Sequence, residues 1–68
     1  MKNKVKVRRT ELGFSQSKMA EDMGVSRQTM HAIETGKYVP STVLALKLAH
    51  LLKLGVQELF SLEEGDWQ

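Results

Sequence analysis

The chain has 68 residues, a net charge of +2 and no cysteine, so it can form one small domain but cannot strengthen its core with disulfides. Its apolar and charged contents, 41% and 26%, argue against wholesale disorder. No apolar stretch approaches the roughly 18 residues that a membrane span needs, and the basic N-terminus leads into no apolar signal segment. We expect a folded cytoplasmic protein that does not enter a membrane.

Serine residues mark where three of the predicted helices begin. Ser15, Ser26 and Ser41 each stand just before a helical apolar pattern. At such a position the hydroxyl oxygen can accept a hydrogen bond from an unpaired N–H group of the first turn. Glycines, which tolerate positive φ, mark where helical patterns end. The fold class predicted from these signals is all-α, a compact five-helix bundle with helices near 3–12, 16–23, 27–35, 42–52 and 56–61.

A short link joins the second and third predicted helices. It consists of Gly24, Val25 and Ser26, and a three-residue link that starts with glycine is typical of a helix-turn-helix unit. Residues 1–62 are therefore predicted to form one helix-turn-helix domain. Residues 63–68 show no periodicity and are predicted to be an acidic, frayed tail.

Charge is distributed unevenly along the chain. The first 53 residues contain all ten basic residues and four of the eight acidic ones, whereas residues 54–68 contain the other four acids and no base. A basic body is compatible with a polyanionic partner, although a solvated charged surface is the more frequent explanation of such a pattern.

The third predicted helix has an outward face that is polar but uncharged. At 100° per residue, Met30 and Ile33 point inward. Four residues lie on the opposite side: Gln28, His31, Ala32 and Thr35. A face that serves only solubility usually carries Lys and Glu, whereas amides, hydroxyls and small side chains contact base edges and the thymine methyl group. The pattern favours double-stranded DNA as the partner.

Several segments carry a resemblance to a known family. They are SQSKMA at 15–20, GVSRQTM at 24–30, IETGKYVPS at 33–41, LA at 48–49 and ELF at 58–60. The chain resembles the lambda-repressor-like, Cro/repressor-type helix-turn-helix transcriptional regulators, also called the xenobiotic-response-element family. Two positions depart from the family pattern: Lys53 stands where a residue tolerant of positive φ is usual, and Arg8 where an apolar one is usual.

The resemblance implies that the third helix, at about 27–35, lies in the major groove. The residues it suggests for base contact are Arg27, Gln28, His31, Ala32 and Thr35. Those it suggests for phosphate contact are Gln16, Ser26, Lys37, Tyr38 and Arg9. The alternative to a base contact is a phosphate contact or simple solvation for Arg27, and exposure to solvent without any DNA contact for His31. The resemblance also suggests an ion pair between Arg9 and Glu34, so that Arg9 has both a structural and a DNA-contacting interpretation.

A repressor acting as a homodimer on a pseudo-palindromic site is the preferred function. An enzyme is not expected, because cysteine is absent, the two histidines lack metal-ligand neighbours and three of the serines serve as helix caps. No cofactor or metal is expected either. Two alternatives remain open: a protein-interaction module such as an antitoxin, or the DNA-binding end of a larger ligand-sensing regulator. A possible protein-partner surface is suggested by the apolar excess of the fourth helix, at Val43, Leu44 and Leu51.

Overall fold

A computed structural model describes all 68 residues. Its five α-helices are Val5–Glu11 (α1), Gln16–Met23 (α2), Arg27–Glu34 (α3), Thr42–Leu52 (α4) and Val56–Leu59 (α5). Lys2–Asn3 (β1) and Phe60–Ser61 (β2) form an antiparallel terminal strand pair, and Glu64–Trp67 form a 3-10 helix. The prediction of an all-α bundle of five helices is confirmed, with the terminal strand pair as a small addition. None of the helices combines the length and the apolar character that crossing a membrane requires.

The predicted serine caps start α2, α3 and α4. The Ser15 hydroxyl accepts the N–H of Lys18 at 3.0 Å. The other two caps have the same geometry: the Ser26 hydroxyl accepts the Thr29 N–H, and the Ser41 hydroxyl accepts the Leu44 N–H. Each cap satisfies one N–H group that would otherwise be unpaired, which stabilises its helix by about 1 kcal/mol.

The core consists of apolar side chains contributed by all five α-helices and by β2. Its eleven members are Val5, Met19, Ala20, Met23, Met30, Ile33, Leu48, Ala49, Leu52, Leu59 and Phe60. The small side chain of Ala20 leaves room for α3 to pack closely on α2. A fully buried Leu or Met side chain stabilises the fold by about 1.5–3 kcal/mol, so these contacts fix the angle of the helix-turn-helix unit.

Two helix ends differ from the sequence prediction by two residues, and the last residues of α1 and α3 differ from it by one. The first helix begins at Val5 instead of residue 3, because Asn3 lies in β1 and its Oδ1 accepts the Val5 N–H at 3.1 Å. The fifth helix ends at Leu59 instead of residue 61, because Phe60 is extended, with φ −122° and ψ 143°, and pairs with Asn3. Pairing between the two chain ends thus shortens both terminal helices.

Residues 63–68 fold back against the N-terminus, where a frayed segment was expected. The Met1 ammonium lies 3.0 Å from the Glu63 carboxylate and 3.1 Å from that of Asp66. Asp66 also accepts the Glu63 N–H at 2.8 Å. This backbone bond, followed by the ammonium, lowers the pKa of Asp66, while bonds to Glu63 and then Asp66 raise the pKa of the ammonium.

The two residues that depart from the family pattern meet at the end of α4, where Lys53 follows the helix and the Arg8 side chain arrives from α1. Lys53 adopts a left-handed conformation with φ 57°, a region that costs an L residue about 1–2 kcal/mol. The Arg8 Nε donates to the Leu52 carbonyl oxygen at 2.8 Å. The Arg8 guanidinium therefore satisfies a carbonyl at this helix end.

Candidate nucleic-acid interface

The orientation of α3 agrees with the sequence prediction. Met30 and Ile33 are fully buried, whereas Gln28 and His31 are exposed. Four further residues of interest continue this outer face or flank it, with Arg27, Thr35 and Lys37 exposed and Ala32 half-buried. One side of α3 is thus committed to the core and the other is free to contact a ligand.

A buried ion pair attaches α3 to α1. The Arg9 Nε lies 2.6 Å from Glu34 Oε2, and a second guanidinium nitrogen donates to Oε1 at 3.3 Å. The third nitrogen donates to the Phe14 carbonyl at 2.7 Å. The Glu34 side chain is 2% exposed and that of Arg9 is 11% exposed. The Arg9 guanidinium is engaged inside the fold, which agrees with its structural interpretation, and its phosphate contact stays a prediction.

Gln16 connects the start of α2 with the outer face of α3. Its Nε2 donates to Glu34 Oε1 at 3.1 Å and lies 3.4 Å from His31 Nδ1, while its Oε1 accepts from Arg27 Nε at 3.5 Å. A carboxylate only accepts and a guanidinium only donates, so both neighbours require this amide orientation. If Gln16 Nε2 donates to His31 Nδ1, then Nδ1 is the acceptor and the ring proton lies on Nε2.

Two hydroxyl groups of the predicted interface already have partners. Ser26 donates to Thr29 Oγ1 at 2.9 Å while it accepts the Thr29 N–H. A hydroxyl has a single proton, so a phosphate contact through the Ser26 side chain would require breaking the bond to Thr29. Thr35 donates to the backbone carbonyls of His31 and Ala32, which leaves its methyl group and acceptor lone pairs for a ligand.

The chain folds back along α3 directly after that helix. Gly36 has φ +78°, and the N–H groups of Lys37 and Tyr38 both donate to the Ala32 carbonyl, at 2.9 and 3.2 Å. Lys37 is exposed. The Tyr38 side chain borders a shallow depression of about 340 Å³, called here the α3 notch, which is lined by Gln28, Thr29, Ala32 and Tyr38.

Asn3 supports the far end of α3, a role that the sequence did not suggest. Its Nδ2 donates to the Ile33 carbonyl at 2.9 Å, one of the carbonyls that lack an intrahelical partner. The terminal strand pair holds Asn3 in position. Nothing in the local sequence signals this contact, since Asn3 lies thirty residues from its partner and was assigned to the first helix.

An apolar surface lies on α4, away from the core. Val43 and Leu46 are 62% and 56% exposed, and Leu44 and Leu51 are half-buried against the core. The depression beside them, about 440 Å³, is lined by Asp22, Val43, Leu46, Lys47, His50 and Leu51. Leu46 is more exposed than two of the three residues predicted here, and the sequence analysis missed it. We define the α4 apolar surface as Val43, Leu46 and Leu51.

No three His, Cys, Asp or Glu side chains lie close enough together to hold a metal ion.

The sequence model of the helix-turn-helix family matches residues 5–59, which run from the first residue of α1 to the last of α5. The chain belongs to the helix-turn-helix family. Its fold is lambda-repressor-like, as the resemblance implied.

Relatives within the helix-turn-helix family match most of the chain. YgzD of Bacillus subtilis, an HTH-type transcriptional regulator, is 52% identical over 64 residues, which cover 94% of this chain and 97% of YgzD. The crystal structure of the restriction-modification controller protein C.AhdI from Aeromonas hydrophila has a TM-score of 0.74 at 36% identity, over 82% of this chain and 85% of C.AhdI. The N-terminal DNA binding domain of SinR from Bacillus subtilis has a TM-score of 0.74 at 30% identity, over 88% of each chain.

Proposed function

We propose that the chain is a transcriptional regulator that binds double-stranded DNA sequence-specifically through α3. The observation that carries this proposal is the outer face of α3, whose exposed amide and imidazole are backed by a buried ion pair. The major groove of B-DNA, about 12 Å wide, admits an α-helix. The family membership and the names of YgzD, C.AhdI and SinR support the same function.

Side chains on α3 supply complementary hydrogen-bonding groups. The Gln28 amide can pair with adenine N6 and N7, and the His31 Nε2–H can donate to a base acceptor such as guanine O6 or N7. Arg27 keeps its terminal N–H groups for a guanine or a phosphate, because only its Nε is bonded to Gln16. Ala32 and Thr35 offer small apolar groups to bases at either side.

Phosphate contacts would fix the position of α3 in the groove. Gln16 lies at the start of α2, where the free N–H groups of the first turn also attract an anion. Lys37 lies just beyond the other end of α3 and adds a positive charge. Contacts at both ends of the unit would hold α3 at a fixed depth and direction.

The proposed regulator is a homodimeric repressor. Two copies related by a two-fold axis would place their α3 helices about 34 Å apart, in successive major grooves of a pseudo-palindromic site. The α4 apolar surface, with Val43 and Leu46 more than half exposed, offers a face for the second copy. The dimer bound at a promoter would exclude the polymerase and so repress transcription. Binding to DNA also agrees with the expected cytoplasmic location.

The decisive experiment is selection of bound sequences from a randomised duplex pool at about 150 mM salt, where counterion competition suppresses non-specific binding. A two-fold symmetric motif is the expected result. An unsymmetric short motif would preserve sequence-specific binding and refute the dimer, whereas well-folded protein that enriches no sequence would refute the proposed function.

Two variants separate base contact from phosphate contact. Gln28→Ala should reduce the preference for one base at one position by about 1–3 kcal/mol. Lys37→Ala should weaken binding to all sequences alike and lower the slope of log K against log salt concentration by about one. If Gln28→Ala left selectivity unchanged, the placement of α3 in the groove would be wrong.

A protein-interaction module is the second candidate function, and the α4 apolar surface is the observation that favours it. Replacing Val43 and Leu46 together by Lys should abolish binding of a protein partner without altering α3. If the double variant stays folded and still selects the same DNA half-site as a monomer, this surface serves the homodimer. Loss of a specific co-purifying protein, with no DNA selected by either form, would establish the interaction module.

A further inference from the structure

The α3 notch is built by the way the chain leaves α3. Gln28 and Thr29 lie four and three residues before Ala32, so each has its side chain next to that of Ala32 on the helix surface. Tyr38 returns to this side because its N–H, like that of Lys37, donates to the Ala32 carbonyl. The small Ala32 side chain leaves an open space between the Tyr38 ring and the helix, which gives the depression of about 340 Å³.

Most of the surface that the α3 notch presents is apolar. Ala32 contributes a methyl group and Tyr38 the face or edge of its ring. Thr29 Oγ1 accepts the Ser26 hydroxyl proton at 2.9 Å, so Thr29 adds its methyl group and keeps one hydroxyl proton to donate. Gln28 is exposed and adds one amide at the margin. A small apolar group beside a hydrogen-bonding base edge would complement this arrangement.

Only one kind of group in the major groove has that chemistry. The C5-methyl of a pyrimidine projects into the groove, and an adenine next to it presents N6 and N7 to an amide. Hydrogen-bonding groups on the base edges would lose their water against the Ala32 methyl and the Tyr38 ring, which offer them no partner.

We propose that the α3 notch binds the 5-methyl group of a pyrimidine, with Tyr38 as the wall that encloses it. This inference rests on the proposed function, because it names a group that α3 meets in the major groove. It also gives Tyr38 a role different from the phosphate contact suggested by the sequence. A phosphate contact uses the phenol hydroxyl, whereas the wall of a methyl site uses the ring.

The test compares thymine with uracil, which lacks only the methyl group. Each thymine of the selected DNA site is replaced singly by uracil, and dissociation constants are measured by fluorescence anisotropy for the wild type, Tyr38→Phe and Tyr38→Ala. Burial of one methyl-sized group predicts that uracil binds about fourfold more weakly at one position of each half-site. Tyr38→Phe should keep this ratio, and Tyr38→Ala should bring it close to one.

Two controls accompany the Tyr38 variants. Tyr38 is 44% exposed, so both variants should fold, which circular dichroism verifies. Lys37→Ala should weaken binding to every duplex and leave the thymine-to-uracil ratio intact. Cytosine and 5-methylcytosine at the same position identify the source of the methyl group: tighter binding of 5-methylcytosine shows that either pyrimidine is accepted, and equal binding assigns the site to thymine.

Four results would overturn the inference. An enriched site with no thymine-to-uracil difference at any position would refute the methyl site and leave the proposed function standing. An unchanged ratio in Tyr38→Ala would remove Tyr38 from the site, and equal, uniform weakening by Tyr38→Phe and Tyr38→Ala would establish a phosphate contact through the hydroxyl. Failure to enrich any sequence would refute the proposed function together with the methyl site.

Discussion

Replacement of Glu34 by glutamine would leave the Arg9 guanidinium inside the fold without its counter-charge. The Glu34 side chain is 2% exposed and the Arg9 side chain 11%, so water cannot take over the lost interaction. Removing one partner of a buried ion pair costs about 3–5 kcal/mol. Arg9 keeps its bond to the Phe14 carbonyl at 2.7 Å, so we expect a loss of about 3 kcal/mol.

That loss is large for a domain of this size. Natural domains have about 0.05–0.15 kcal/mol of stability per residue, which for 68 residues gives roughly 3–10 kcal/mol in total. Glu34→Gln is therefore expected to remove a third or more of the free energy of unfolding. It would also release the contact that holds α3 against α1, so DNA binding should fall with stability.

The assay is urea denaturation followed by far-UV circular dichroism, with a double-mutant cycle formed by Arg9→Met, Glu34→Gln and the double variant. Arg9→Met removes the unpaired charge, so the double variant should recover about 2 kcal/mol relative to Glu34→Gln alone. Trimethylamine N-oxide, which strengthens burial, keeps the transition measurable if Glu34→Gln is partly unfolded in buffer.

Glu11→Gln is the matched control. Glu11 lies 3.7 Å from Arg8 and its side chain is 60% exposed, so its loss should cost less than about 0.5 kcal/mol. If Glu34→Gln also costs less than about 1 kcal/mol, or if the cycle shows no coupling, the Arg9–Glu34 pair does not contribute as its burial implies.

Other parts of the molecule give further predictions. Lys53→Gly relieves the left-handed conformation (φ 57°) and should raise the free energy of unfolding by about 1 kcal/mol in urea. The lowered pKa of Asp66, caused by a backbone N–H and then by the N-terminal ammonium, means that its stabilising contribution is present above the ordinary value of 3.8. This contribution is lost as the pH falls through the lowered pKa that Asp66 has in the folded state. Trp67 fluorescence should therefore report release of the tail in acid. Gln16→Ala removes the amide that orients His31 and should weaken DNA binding about tenfold, as expected for two lost hydrogen bonds.

Each of these predictions has a control. Lys47→Gly, in the middle of α4, should destabilise by about 1 kcal/mol; an equal effect at Lys53 would show that the left-handed conformation carries no strain. Asp66→Asn should abolish the acid transition of Trp67, and a transition that persists unchanged would assign it to another group. For Gln16→Ala, unchanged affinity in a folded variant would contradict the role of its amide.

Rules that act within a few residues predicted much of the fold. Ser15, Ser26 and Ser41 each bond an N–H three residues ahead, so the signal and the structure it forms lie in the same segment. Burial of Met30 and Ile33 followed from helical periodicity alone. The same logic could have identified the partner of the Ser26 hydroxyl, since Thr29 stands three residues away.

Contacts between distant segments escaped prediction. The terminal strands have two residues each, which is too short for an alternating pattern, and so the sequence assigned Asn3 and Phe60 to helices. The bond from Arg8 to the Leu52 carbonyl spans forty-four residues and has no local signal. The candidate site divides in the same way: the outer face of α3 followed from periodicity, whereas the pairing of Arg9 with Glu34 came from the family resemblance.

The terminal strand pair also has a consequence for the order of folding. It joins Lys2 to Ser61 and Asn3 to Phe60, and closing so long a loop costs entropy that only later contacts offset. The α2–α3 unit, by contrast, is formed by neighbours in sequence. We expect the helix-turn-helix to be structured in the folding transition state, with high φ-values at Ala20 and Met30, and the strand pair to close afterwards. Substitutions in the strand pair would then accelerate unfolding and leave the folding rate unchanged.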